Sequence, residues 1–309
     1  MPLLGGALTR FQAAYPVWAR LAAGFMILFT GMCTGRIAIR YNLYGVSTCL
    51  PIPLYAVVAC GIFSGGNYLT AFAASMLLAL AAKNYCRSYC NGYGFDAIFR
   101  ASLYLGLLPL VYAPATAGEL ALAERFAVRS GWQALAEYDG AVLILPLAIL
   151  LFKRTFREAV VAAAGLILPL LTACYVSWGM GAEFTAPVMT LADALVSGVP
   201  LWIFKGLPLP SLVMLCVIAA LALTALLFFL SDIYAAGTKP RFILIFNTGI
   251  LAMTLALLCT PSVTPEAFTL TAVPAALLFP VFFVRIDRRI ALPVYLILLA
   301  ASVYIAILQ

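Results

Sequence analysis

The chain has 309 residues, of which 65% are hydrophobic and 9% charged, and its mean hydropathy is +1.10. A soluble domain carries about 25% charged residues, so a soluble globular fold is excluded. The net charge is +7 and there is no histidine, which removes the commonest metal ligand, general base and pH switch.

In chain order, the first residues, Met1 to Arg10, lack the basic, apolar and small-residue regions of a signal peptide, and no cleavage is expected. Membrane-spanning helices need roughly 20 mainly apolar residues. Ten runs are candidates: 21–35, 49–64, 67–82, 100–115, 141–152, 159–178, 211–230, 242–259, 267–284 and 290–308. Several are short and borrow interfacial residues such as Tyr41, Tyr44, Trp132 and Trp178. Ser64-Gly65-Gly66-Asn67 reads as a tight turn between two of them. Thr116-Ala117-Gly118-Glu119 matches a capping box, and Leu122 and Phe126 follow at i, i+4, which predicts an interfacial helix within the loop 116–140. The apolar stretch 187–204 is broken by Asp193, Gly198 and Pro200 and reads as interfacial or re-entrant. The predicted fold is all-α: a polytopic transmembrane helical bundle of about ten spans with one or two interfacial or re-entrant helices, forming one integral membrane domain over residues 1–309.

Sidedness follows from the basic residues. If the loops 36–48, 83–100, 153–158, 231–241 and 285–289 are cytoplasmic, they hold thirteen of the eighteen basic residues. The other side keeps Arg10, Arg20, Arg125, Arg129 and Lys205 with seven carboxylates. The first third has two solutions with the same tally. Ten helices with both termini outside is preferred because of the turn at 64–67; nine helices with the N-terminus inside follows if 49–64 lies on the outer surface.

Chemistry has few places to reside. An ionisable group at membrane depth is a functional candidate by default, and few are present. Asp96 and Arg100, at i, i+4, read as a helix-entry ion pair, with a gate or an anionic headgroup contact as the functional alternative. Asp193 in the broken outer segment, together with Asp139, Glu137 and Glu119, are the carboxylates that could act as base or metal ligand on the outer side. The short inner loops with Lys153, Arg154 and Arg157, and with Arg285, Arg288 and Arg289, could hold lipid headgroups, although topology alone explains them. Most of the eight cysteines sit in apolar runs; Cys86 and Cys90 share a helical face but lack two further ligands for zinc. No nucleotide loop or serine-nucleophile elbow occurs, and the basic residues form no nucleic-acid face. No cofactor, metal, nucleotide or nucleic acid is expected.

Several stretches resemble an uncharacterised family of multi-pass inner-membrane proteins of Bacteroidota. They are Arg36 to Leu43 with Leu50-Pro51 and Tyr55, Phe95-Asp96-Ala97 leading to Tyr112-Ala113-Pro114, Leu151 to Glu158 with Gly165 and Pro169, and Val273-Pro274 to Phe282-Phe283. The resemblance implies the bacterial inner membrane, ten-helix threading and a cytoplasmic place for Arg36 and Arg40. This chain departs from the family in lacking an additional N-terminal span and in its longer loop at 116–140. Some members are labelled carotenoid monooxygenases, which implies iron held by histidines, and a chain without histidine cannot supply them. Two functions are therefore expected from different classes. The first is a non-enzymatic component of cell-envelope assembly, with the lipid bilayer and other envelope membrane proteins as partners. The second is a glycosyltransferase-like enzyme acting on lipid-linked sugar through outward carboxylates, although the hairpin at 64–67 carries none.

Overall fold

The computed structural model describes residues 3–62, 66–91, 94–112, 156–196, 207–231, 237–258 and 264–308. These fold into α1 (Leu3–Ala14), α2 (Pro16–Arg40), α3 (Pro51–Ile62), α4 (Tyr68–Asn91), α5 (Phe95–Val111), α6 (Phe156–Gly179), α7 (Ala186–Val196), α8 (Leu209–Ser231), α9 (Thr238–Leu258), a 3₁₀ turn (Pro265–Ala267), α10 (Phe268–Arg285) and α11 (Arg288–Leu308). No strand occurs among the described residues. Pro16 separates α1 from α2: a proline cannot donate the next helical bond, and it pushes Tyr15 to φ −133°, while its fixed φ suits the first turn of α2.

Among the described residues, six helices are long and apolar enough to cross a membrane: Pro16–Arg40, Tyr68–Cys90, Val160–Gly179, Leu209–Ser231, Pro265–Arg285 and Arg288–Ile307. The protein is a helical membrane protein, and this count falls short of the ten expected full spans. The run 49–64 is realised as the 12-residue α3 and 100–115 as the 17-residue α5. The run 242–259 lies largely within α9. Residues 141–152 and the loop 116–140 lie outside the described residues. Only part of 187–204 is described, and α7 is about 16 Å long, too short to cross.

The bundle is built around α10. In its most apolar stretch 89% of the residues are buried, against 22% for α11, 28% for α8 and 33% for α6. A helix apolar on all sides belongs inside, whereas the exposed Leu, Ile and Val of the outer helices would be an aggregation hazard in water and are solvated by hydrocarbon in a bilayer. Pro274 and Pro280 lie inside α10 and each removes a ladder donor. Polar groups from neighbouring segments, the buried Asn247 and the half-buried Tyr44, donate to carbonyls in this stretch: Asn247 Nδ2 to Pro274 O at 2.8 Å and the Tyr44 hydroxyl to Leu277 O at 2.7 Å. Asn247→Leu is expected to lower stability by about 1 kcal/mol, since it removes a buried donor without a cavity of comparable cost. An unchanged unfolding midpoint in detergent would show that this bond contributes nothing.

The direction of α3 follows from its neighbours. The last turns of α2 (Arg36 to Tyr41) and the last third of α4 (Leu80 to Arg87) line one cavity, so these two helices run parallel and end at the same face. The chain must return between them, and α3 lies in that part of the chain. Ile52 packs on Gly31 and Gly35 of α2, the Tyr55 hydroxyl meets Ser75 Oγ of α4 at 2.6 Å, and Gly61 abuts Met214 and Ser302 further along. Leu54 and Tyr55 are fully buried, so α3 does not lie on a surface. A 12-residue helix covers about 18 Å, short of the roughly 30 Å hydrocarbon core. Non-helical backbone covers the remainder. It turns at Asn42 and Gly45, both at positive φ, with Leu43 buried and Tyr44 half-buried.

The α5–α6 pair also runs parallel. Glu158 near the start of α6 lies beside Gly94 at the start of α5, Gly165 and Gly106 bring the two backbones together midway, and Leu110 meets Ala173 towards the far end.

Candidate functional site

Arg36 and Arg40 lie one turn apart on α2, Lys83 and Arg87 one turn apart on α4, and Arg100 sits in the second turn of α5. The i, i+4 spacing puts each pair on one helical face. Parallel packing of α2 and α4, with α5 returning alongside, turns all three faces towards one cavity of about 490 Å³. Ile37, Ile39, Tyr41, Leu80, Asn84 and Tyr104 complete its wall. No carboxylate lines it among the described residues. Asp96 stands nearby and accepts a 2.9 Å bond from Arg100 Nε, with both side chains more than half exposed. An exposed i, i+4 pair contributes only about 0.3–0.5 kcal/mol and leaves the remaining guanidinium donors of Arg100 available.

The other groups favour anion binding. Lys83 and Asn84 are half-buried, so a ligand here sheds part of its water. Burial pushes the Tyr41 phenol up, which keeps it a neutral hydrogen-bond donor, and the Arg40 guanidinium lies 6.0 Å from its ring centre. Five cations on three helices are an arrangement for phosphate oxygens, which Arg and Lys recognise through charge-assisted hydrogen bonds.

The sequence-predicted sites are dispersed by comparison. Arg157 is exposed at the start of α6, and Arg288 and Arg289 are exposed in the first turn of α11. Arg285 lines a different cavity of about 390 Å³ with Tyr44, Gly237, Pro240 and Val281. Asp193 belongs to α7, which packs on α6. Lys153, Arg154, Glu119, Glu137 and Asp139 lie outside the described residues. The expected ion pair of Asp96 and Arg100 is formed, and Arg100 also borders the basic cavity. Sequence reasoning counted Arg36, Arg40, Lys83 and Arg87 only as loop charges. The signal that could have singled them out is the repeated i, i+4 spacing at two helix ends.

No protein-family model matches the chain, and no curated protein or solved structure matches it either. The site therefore has to be read from its own chemistry.

One further polar cluster sits at the opposite end of the bundle. Glu266 is 7% exposed; its Oε1 accepts from Asn67 Nδ2 at 3.3 Å, while Oε2 meets no donor. Thr269 Oγ1 donates towards Glu266 O at 2.7 Å and Ala71 O at 3.0 Å. The Tyr112 hydroxyl lies 3.0 Å from Thr264 Oγ1 and accepts from the Thr264 amide at 3.2 Å. These bonds tie the entry of α10 to the start of α4 and the end of α5.

Proposed function

We propose that this is a multi-pass protein of a bacterial inner membrane that holds an anionic lipid by its phosphate at the cytoplasmic face, as a non-enzymatic component of cell-envelope assembly. The observation that carries the reading is the cavity formed by Arg36, Arg40, Lys83, Arg87 and Arg100. It lies at the end of the bundle where the basic loops collect, which the positive-inside rule assigns to the cytoplasm. Ile39, 44% exposed, belongs both to its wall and to the outer apolar side of α2 with Phe25, Leu28 and Met32, so the cavity borders the lipid. The resemblance to inner-membrane proteins of Bacteroidota supports the same compartment.

The threading proposed with this reading is ten crossings with both termini outside. The return between α2 and α4 supplies a crossing through α3, and α5 and α6 start at the same face, so each runs outward from the basic end. The glycosyltransferase-like alternative needs a carboxylate on the outer side, and Asp193 or the buried Glu266 are the described candidates for it.

The test is native mass spectrometry of the protein released from detergent micelles. The wild type should retain anionic phospholipid, and the Arg36→Ala, Lys83→Ala double variant should lose most of it while keeping its unfolding midpoint. Equal lipid retention by both proteins would sink the reading.

A further inference from the structure

The arrangement of the five cations says more about the ligand than that it is anionic. Arg40 follows Arg36 by one turn on α2 and Arg87 follows Lys83 by one turn on α4, and all four line the one cavity. Because α2 and α4 are parallel, the two i, i+4 pairs stack as two tiers separated by about 6 Å, the rise of four helical residues. Each tier carries one cation from each helix. The deeper tier lies towards the hydrocarbon and includes the half-buried Lys83. The outer tier lies at the helix ends, with Arg100 adding a fifth charge from α5.

A phosphodiester headgroup carries a single negative charge and needs one tier. Two tiers with no opposing carboxylate on the wall among the described residues match two linked phosphates. We infer that the cavity takes a lipid diphosphate, its chain-proximal phosphate between Arg36 and Lys83 and its distal phosphate between Arg40 and Arg87. This rests on the lipid-phosphate reading above and narrows it. The lipid-exposed Ile39 beside the cavity gives the chain a route along α2, which favours a lipid over a free anion. Tyr41, Asn84 and Tyr104 supply neutral polar groups at the rim for whatever the distal phosphate carries.

The experiment uses the full chain in nanodiscs of neutral lipid, titrated with farnesyl diphosphate, farnesyl monophosphate, phosphatidylglycerol and inorganic diphosphate. The diphosphate lipid is expected to bind about tenfold or more tightly than the monophosphate, since it engages a second pair of cations near the membrane surface. The Arg40→Ala, Arg87→Ala variant should weaken both farnesyl ligands, the diphosphate by about tenfold or more beyond the monophosphate, and so erase that difference, and the Arg40→Lys, Arg87→Lys variant should restore most of it. Equal affinity of the wild type for the two farnesyl ligands overturns the diphosphate inference and leaves the lipid-phosphate reading standing. Absence of binding by both farnesyl ligands and phosphatidylglycerol overturns both. Inorganic diphosphate binding as tightly as the farnesyl ligand overturns the lipid assignment. A double variant that weakens monophosphate and diphosphate equally overturns the two-tier arrangement.

Discussion

Gly106→Val is expected to cost at least about 3 kcal/mol, the upper range for overpacking a tight interior, and to leave little folded protein. A Cβ at this position would stand 2.5 Å from Leu166 O and 3.0 Å from Leu166 Cα. Both are backbone atoms of the facing helix, so no side-chain rotation relieves the clash. Gly165 is the reciprocal contact, with Phe99 O and Ser102 Cβ each 2.8 Å from its would-be Cβ. Small residues on facing helices let backbones approach closely, and in a bilayer such packing replaces the hydrophobic drive that water would supply. The contrast is with Gly249, whose Cβ would meet nothing within 4 Å, and with Gly35, where only the Ile52 side chain intrudes. Gly249→Ala should leave the midpoint unchanged or raise it slightly, because alanine favours the helix. Thermal unfolding of the two purified variants gives the order, and a Gly106→Val protein as stable as Gly249→Ala would show that α5 and α6 do not meet as described.

Lys83→Glu should have the largest effect on anionic lipid. The substitution removes one positive charge and adds a negative one between Arg36 and Arg87, a change of two charges where each is worth about 1 kcal/mol near a membrane surface. Affinity for anionic lipid should therefore fall by about 30-fold at low salt. The loss should shrink as ionic strength rises, because the exposed part of the cavity is screened over about 8–10 Å. Arg289→Glu makes the same change of charge at an exposed position outside the cavity and should weaken binding only slightly. Titration of both variants against vesicles containing phosphatidylglycerol separates the two cases. Equal losses would mean that the whole basic end attracts the bilayer surface and that the cavity has no special part in it.

Helical class, membrane residence and the basic end were legible in the sequence, because each depends on composition and local periodicity. Arg288 to Leu308 is an apolar helix wherever its neighbours lie. The site was less legible. Arg36 and Lys83 are separated by most of two helices, and only the parallel alignment of α2 with α4 makes their tiers coincide. Glu266 follows a proline at a helix entry and reads as an exposed first-turn carboxylate, yet packing buries it against Asn67.

The expected span at 49–64 shows the same division. Its hydropathy correctly predicted burial in an apolar setting, but hydropathy does not distinguish hydrocarbon from protein as the surrounding medium. A helix facing lipid must satisfy its backbone along its whole depth, whereas one packed against α2, α8, α10 and α11 can start after an irregular stretch. The sequence by itself determined an all-helical membrane chain with its positive charge gathered at one end. The tertiary structure decided which helices are buried and which are exposed, that α3 packs inside the bundle, and that five scattered cations share one cavity. Those outcomes depend on contacts between residues distant in the chain, and no local pattern encodes them.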